Sequence, residues 1–277
     1  MIAQWDNKVM SAFMLYIDYT VCKQGKAFTN HTGSFYPIES RYDNLWAYAL
    51  PYKQIISDSA LIGSGANVLQ TLQVDGVQRD AGSGDMYGII HHKGQVLFTS
   101  DATHTVTGNY SVKDFNVYLT TKLEEDILFN KKYQTNPRVN QTLAGLKDEE
   151  ESWPAIYLKN MGGHNDPLCL GGADNVKIFA RAVILSDSAY KLDAICSILK
   201  NTARKEFPIP PSLPFNSIGA YTGVMYNYQS ILNSATELVP IWDVKVTKIS
   251  TADLSGVDPR VFPAFVDFEI HGYGKNA

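Results

Sequence analysis

The sequence predicts an α+β fold: a mixed or antiparallel sheet with two main helices, carrying an inserted all-β module. Three observations lead there. Residues 176–205 read as a strand followed by a helix, residues 10–21 read as a second helix, and residues 71–119 hold several short strand patterns. The implied organisation is 1–29 for the N-terminal helix of the core, 30–150 for the inserted β-rich module and linker, and 151–277 for an α/β core domain.

The strand–helix unit is the clearest element. Val176, Ile178, Ala180, Ala182 and Ile184 share one face, and Phe179, Val183 and Leu185 lie on the other. Apolar residues on both faces predict a strand covered on both sides, with Lys177 and Arg181 as exceptions. Ser186, Asp187 and Ser188 then offer side-chain oxygens to a helix start. The helix runs to about Asn201, with Leu192, Ile195 and Leu199 on one stripe and Ile198 beside it. Lys200, Arg204 and Lys205 sit where the helix dipole favours cations.

At the other end of the chain, Met10, Phe13, Met14, Ile17 and Val21 form one face of an amphipathic helix that closes near Gly25. Residues 26–41 read as polar and irregular. Trp46, Tyr48, Leu50 and Tyr52 alternate with other residues, and Pro51 favours an edge strand or extended arm. In 71–119, Asp75-Gly76 marks a tight hairpin and His92-Lys93-Gly94 a second turn. Tyr110 and Val112 hold one phase and Phe115, Val117 and Leu119 the next, so the slip at Lys113-Asp114 reads as a bulge.

From residue 123 to 151 strand signals vanish, Asn136-Pro137 marks a turn, and 147–151 is a mostly acidic solvated run. A short strand at 155–158 and a glycine-rich loop at 161–172 lead into the central unit. Pro208, Pro210, Pro211 and Pro214 make an extended, semi-rigid connection, and 216–238 is ambiguous. Two strands close the chain. In the first, Trp242, Val244 and Val246 alternate with Asp243, Lys245 and Thr247. In the second, Ala264, Val266, Phe268 and Ile270 alternate with Phe265, Asp267, Glu269 and His271. Each buries one face and leaves the other wet or open to a partner.

The chain has 277 residues, 45% of them hydrophobic, enough for one large domain or two ordinary ones. With 16 Tyr, 12 Phe and only 19% charged residues, it suits many strands or large interfaces. A formal charge of −4 argues against a grip on nucleic-acid phosphates, but not against lining a path for DNA. Cys22, Cys169 and Cys196 lack metal-ligand spacing and read as reduced thiols made in a cytoplasm, with Cys196 a small core residue. No signal peptide or membrane span is read in the sequence.

No motif carries catalysis, so the chain is expected not to be an enzyme, and no cofactor, metal or catalytic residue is assigned. His91 and His92, adjacent on a strand, point to opposite faces and read as surface hairpin histidines. His164 and Asp166 belong to a glycine-rich turn. Gly63-Ser64-Gly65 and Gly82-Ser83-Gly84 lack the Lys-Ser/Thr of a phosphate loop. Glu124, Glu125 and Asp126 read as solvated carboxylates, and three glycan-acceptor triplets at Asn30, Asn109 and Asn140 carry no weight without a secretion signal.

The run Gly94-Gln95-Val96-Leu97-Phe98-Thr99, followed by Val106-Thr107-Gly108-Asn109-Tyr110-Ser111-Val112-Lys113-Asp114-Phe115, resembles a β module of tailed-bacteriophage virion proteins. The order helix, strand, strand, helix, strand, strand is similar to the fold of tail terminator and neck proteins. That resemblance implies a structural subunit of a ring, often a hexamer, joining head to tail. Its partners would be itself and other neck, tube or sheath proteins, with DNA only as passing genome and no membrane. It would be made in the host cytoplasm and located in the virion. The subunit interface is expected at Arg181, Trp242, Asp267 and Glu269. Residues 30–150 exceed a compact terminator. The alternative is a surface-exposed receptor- or carbohydrate-binding β protein of tail or capsid, using the aromatics of 46–52 and the strands of 71–119.

Overall fold

The computed structural model describes residues 4–39, 42–100, 103–129, 134–135, 151–167, 174–211, 214–250 and 257–273. Expectations for Cys169, the Asn136-Pro137 turn, Asn140, the 147–150 acidic run and part of the 161–172 loop lie outside them.

Helix α1, Trp5–Gly25, is the hub of the larger core. Met10, Phe13, Ile17 and Val21 of its expected stripe are buried and Met14 is partly so, but nearly everything else from Val9 to Cys22 is buried too, including Ser11, Asp18 and Thr20. The helix is covered all round, which a one-sided apolar stripe does not predict. Phe13 packs edge-on against Phe268 at 4.9 Å and beside Phe207 at 5.4 Å.

The strands follow in chain order: β1 Phe28–Ile38, β2 Trp46–Ala49, β3 Thr71–Val74, β4 Val77–Asp80, β5 Met86–Ile90, β6 Gln95–Phe98, β7 Val106–Lys113 and β8 Asn116–Leu119. Short α2, Glu124–Leu128, precedes β9 Gln134–Thr135, β10 Ser152–Trp153, β11 Ala155–Pro167 and β12 Asp174–Ser186. Then come α3 Ala189–Lys200, β13 Glu206–Pro208, α4 Tyr228–Ser234, β14 Leu238–Lys248 and β15 Phe262–Tyr273. One seven-stranded sheet has the order β4-β3-β7-β1-β2-β6-β5, and a six-stranded sheet has the order β13-β14-β15-β12-β11-β8.

This corrects the predicted fold class. The protein is mostly β, built on two curled sheets, and is not a two-main-helix α+β fold with a sheet appendage. The missed mass is β1. Residues 26–41 were expected to be irregular because Asn30, Thr32 and Ser34 give no apolar alternation. Eight consecutive pairings with β7, from Phe28 opposite Lys113 to Phe35 opposite Val106, make it a strand regardless. Three further corrections follow from pairing. Strand β2 is interior, between β1 and β6, because Pro51 falls just beyond it. The slip at Lys113-Asp114 is the passage from one sheet to the other, since β8 pairs in parallel with β11. The proline connection is no free arm: Phe207, Pro208, Ile209 and Pro210 are buried and β13 pairs with β14.

The expected strand–helix unit forms as β12 and α3, and Leu192, Ile195 and Leu199 are buried against α1 and the inner face of the six-stranded sheet. The Asp75-Gly76 hairpin also forms. Both residues take positive φ, 53° and 79°, the pair of left-handed conformations a two-residue turn needs.

Candidate functional site

The outer face of the six-stranded sheet gathers the four residues expected at an interface. In a sheet, residues paired across strands share a face. One row runs Lys159 on β11, Arg181 on β12, Asp267 on β15 and Lys245 on β14. The next holds Phe179, Glu269 and Asp243, and a third holds His164, Lys177 and His271. Both charge signs are mixed across the strands, Asp267 lying between Arg181 and Lys245, while Phe179, Met161 and Trp242 stand exposed among them.

The charges are also spent within the chain. Arg181 Nε donates to Asp267 Oδ1 at 2.5 Å and Nη2 to Asp267 Oδ2 at 3.1 Å, while Nη1 donates to both Glu124 oxygens at 3.1 Å. The Asp267 hydrogen bond raises the Arg181 pKa, partial burial opposes it, and Glu124 adds to the rise. Glu124, expected to be a solvated carboxylate, is thus a fixed partner of the β12 cation. The signal was Arg181 itself, a cation between the apolar Phe179 and Val183 of its strand face. His271 lies against Glu269 at 2.6 Å.

Trp242 departs from its expected face. A register shift between Ile241 and Asp243 turns it outward, where its ring stacks on His271 at 4.8 Å with a 4° interplanar angle and the Arg204 guanidinium lies 4.1 Å from its centroid. Farther along the hairpin, Lys177 Nζ meets Asp166 Oδ2 at 2.7 Å, with His164 at 3.5 Å from the other oxygen. The Lys177 hydrogen bond lowers the Asp166 pKa.

Two edges of this sheet lack a neighbour among the described residues. Strand β8 covers β11 only over Ala155 to Leu158, leaving 159–167 open. Strand β13 covers β14 only over Leu238 to Pro240, leaving 243–248 open. The edges lie on opposite sides of the sheet, because β15 and β12 separate them.

A second polar group lies in the seam between the sheets. Lys113, the last residue of β7, donates to Asp18 Oδ2 on α1 at 2.8 Å, and the Tyr226 hydroxyl reaches the same oxygen at 3.5 Å. Burial works to lower the Lys113 pKa, but Asp18 more than offsets it and the pKa is raised. Asp58 Oδ1 accepts from the Tyr228 and Ala60 backbone N–H groups, each at 2.9 Å. Burial pushes the Asp58 pKa up to about 6, against those two hydrogen bonds. Asp18 Oδ1 and Asp58 Oδ2 are buried and accept no hydrogen bond from the described residues. The group borders a cleft of about 290 Å³ walled by Met14, Leu15 and Val117.

The remaining sequence candidates fall elsewhere. His91 is buried, not a surface residue, and its Nε2 lies 2.9 Å from the Leu69 carbonyl. Burial lowers its pKa. Tyr48 and Leu50 are core residues, so the aromatic run at 46–52 is not an exposed platform. Cys22 and Cys196 are both buried, and burial raises both thiol pKa values. Among the described residues, no cluster of three or more His, Cys, Asp or Glu is placed to hold a metal ion, and no helix is long and apolar enough to cross a membrane. No protein-family model matches the chain, and no curated protein matches its sequence.

Proposed function

We propose that the protein is a structural subunit that joins copies of itself into a closed ring, of the kind found at the neck of tailed-phage particles. The observation that carries this reading is the pair of open edges, 159–167 on β11 and 243–248 on β14, at opposite sides of one sheet. An open edge presents unpaired N–H and C=O groups to another strand. Two different edges facing opposite ways favour a head-to-tail contact, and a head-to-tail contact that closes makes a ring. The mixed charges and the exposed Phe179, Met161 and Trp242 of that sheet face supply polar contacts and apolar contact area. A net charge of −4 suits a channel that passes DNA without holding it. Catalysis has no part in this reading.

Native mass spectrometry and negative-stain images of the purified protein test it. The expected result is one closed oligomer that persists on dilution. Monomers alone, over nanomolar to micromolar concentrations and in the images, would remove the proposal.

A further inference from the structure

The seven-stranded sheet carries a face of a different chemical character. Across β1, β7, β3 and β4, the outward positions run Thr32 opposite Asn109, Ser34 opposite Thr107, Thr107 opposite Gln73 and Gln73 opposite Gln78. The residues that alternate with them, among them Leu72, Val74, Val106 and Tyr110, point into a second core that also holds Phe35, Tyr48 and Phe98. A groove of about 580 Å³ crosses this outward face, and none of the 13 residues lining it is charged. Of the charges on β4, Asp80 shares the outward phase and lies opposite Thr71 at the margin, while Arg79, opposite Leu72, has the other phase and pairs with Asp85.

The groove is held open by the fold. Its wall is the segment 62–68, pinned to the sheet by the Asn67 N–H donating to Ser111 Oγ at 2.7 Å and by Asn30 Nδ2 donating to the Gly65 carbonyl at 2.9 Å. Ile62 stands 49% exposed on that wall, an apolar spot beside polar ground. The Thr32 hydroxyl donates to Asn109 Oδ1 at 2.7 Å, which leaves the Asn109 amide N–H groups to face outward. Gln70, Gln73 and Gln78 make no side-chain hydrogen bond to other described residues.

We infer that this groove binds a neutral, multiply hydroxylated ligand, a segment of an uncharged glycan. Amides and hydroxyls each offer donor and acceptor, which matches a run of sugar hydroxyls. Ile62 gives the C–H face of a sugar ring something to cover. A charged ligand would leave water for a site with no counter-charge. Nucleic acid needs cations, and the groove lining has none. An extended peptide adds along a strand edge, whereas Thr32, Gln73, Gln78, Thr107 and Asn109 present their side chains to the groove from four strands of one face. The inference is independent of ring assembly.

The test is an array of neutral gluco-, galacto-, manno- and N-acetylglucosamine oligomers printed beside sialylated and sulfated glycans. Titration with the best neutral oligomer follows. The full chain is expected to bind neutral glycans. Gln73→Ala and Asn109→Ala, both at exposed positions, should each weaken binding about 5–10-fold, the scale of one lost hydrogen bond. Circular dichroism and oligomeric state should stay unchanged in both. No neutral glycan bound, binding only to anionic glycans, or unaltered affinity in both variants would overturn the inference. So would a change of oligomeric state in the groove variants, because the face would then be a contact between copies.

Discussion

At the scale of single residues, the seam between the sheets makes the sharpest predictions. Asp58 is pushed up to about 6 by burial, while the Tyr228 and Ala60 N–H groups and Lys113 pull it down and Asp18 pushes it further up. The folded chain therefore holds this proton more tightly than the unfolded chain does. Its stabilising contribution is complete below about pH 4, falls as pH rises toward 6, and is absent above. A shift of about two units bounds the loss at roughly 3 kcal/mol. Asp58→Asn keeps an oxygen for the two N–H donors and removes the titration. Calorimetry from pH 4 to 7 should then show a flatter dependence of Tm on pH, with Tm a few degrees higher than wild type at pH 7. An unchanged slope would assign the dependence to another group. The neighbouring Asp18–Lys113 pair is probed by removing one partner at a time. Lys113→Met leaves a buried carboxylate without its cation, and should cost about 3–5 kcal/mol in urea unfolding. Adding Asp18→Asn to that variant should restore much of the loss.

Among elements, α3 and the outer face of β12 should separate folding from assembly. Ile195 is 3% exposed, so Ile195→Ala should cost about 2–5 kcal/mol and weaken assembly along with folding. Phe179 is 37% exposed, so Phe179→Asp should leave the thermal midpoint near wild type while dissociating the oligomer in sizing chromatography. A parallel loss of folding would mean that the outer face is structural. These two elements were legible because β12 and α3 show their periods plainly, as do the Asp75-Gly76 turn and β15. Strand β1 was not, because its outward positions are Asn, Thr and Ser and its partner, β7, is some 75 residues away along the chain. Arg181, Trp242, Asp267 and Glu269, expected at a subunit interface, lie on the outer face of one sheet, and the sequence carried no sign of their in-chain partners. The Arg181–Glu124 pair spans 57 positions, and no local pattern announces it. Trp242 was assigned the wrong side because a register shift changes which face a residue takes without changing the sequence rhythm.

At the scale of the whole molecule, the two sheets are not separable pieces. Strand β8 belongs to the six-stranded sheet although the chain reaches it directly from β7 of the other, and the seam group draws Asp18, Asp58, Lys113 and Tyr226 from four distant segments. Unfolding should therefore follow a single transition, with the calorimetric and van't Hoff enthalpies agreeing. Two resolved transitions would show that the sheets melt independently. The burial of α1 has a further consequence for the nascent chain. Its Phe13 rests on Phe207 and Phe268, which follow it along the chain by 194 and 255 residues. At about 5–20 residues per second, the helix emerges roughly 10–50 s before its cover exists. Through that interval an apolar segment with no partner must be shielded by other means, so the yield of soluble protein should depend on chaperone supply more than on the stability of the finished fold.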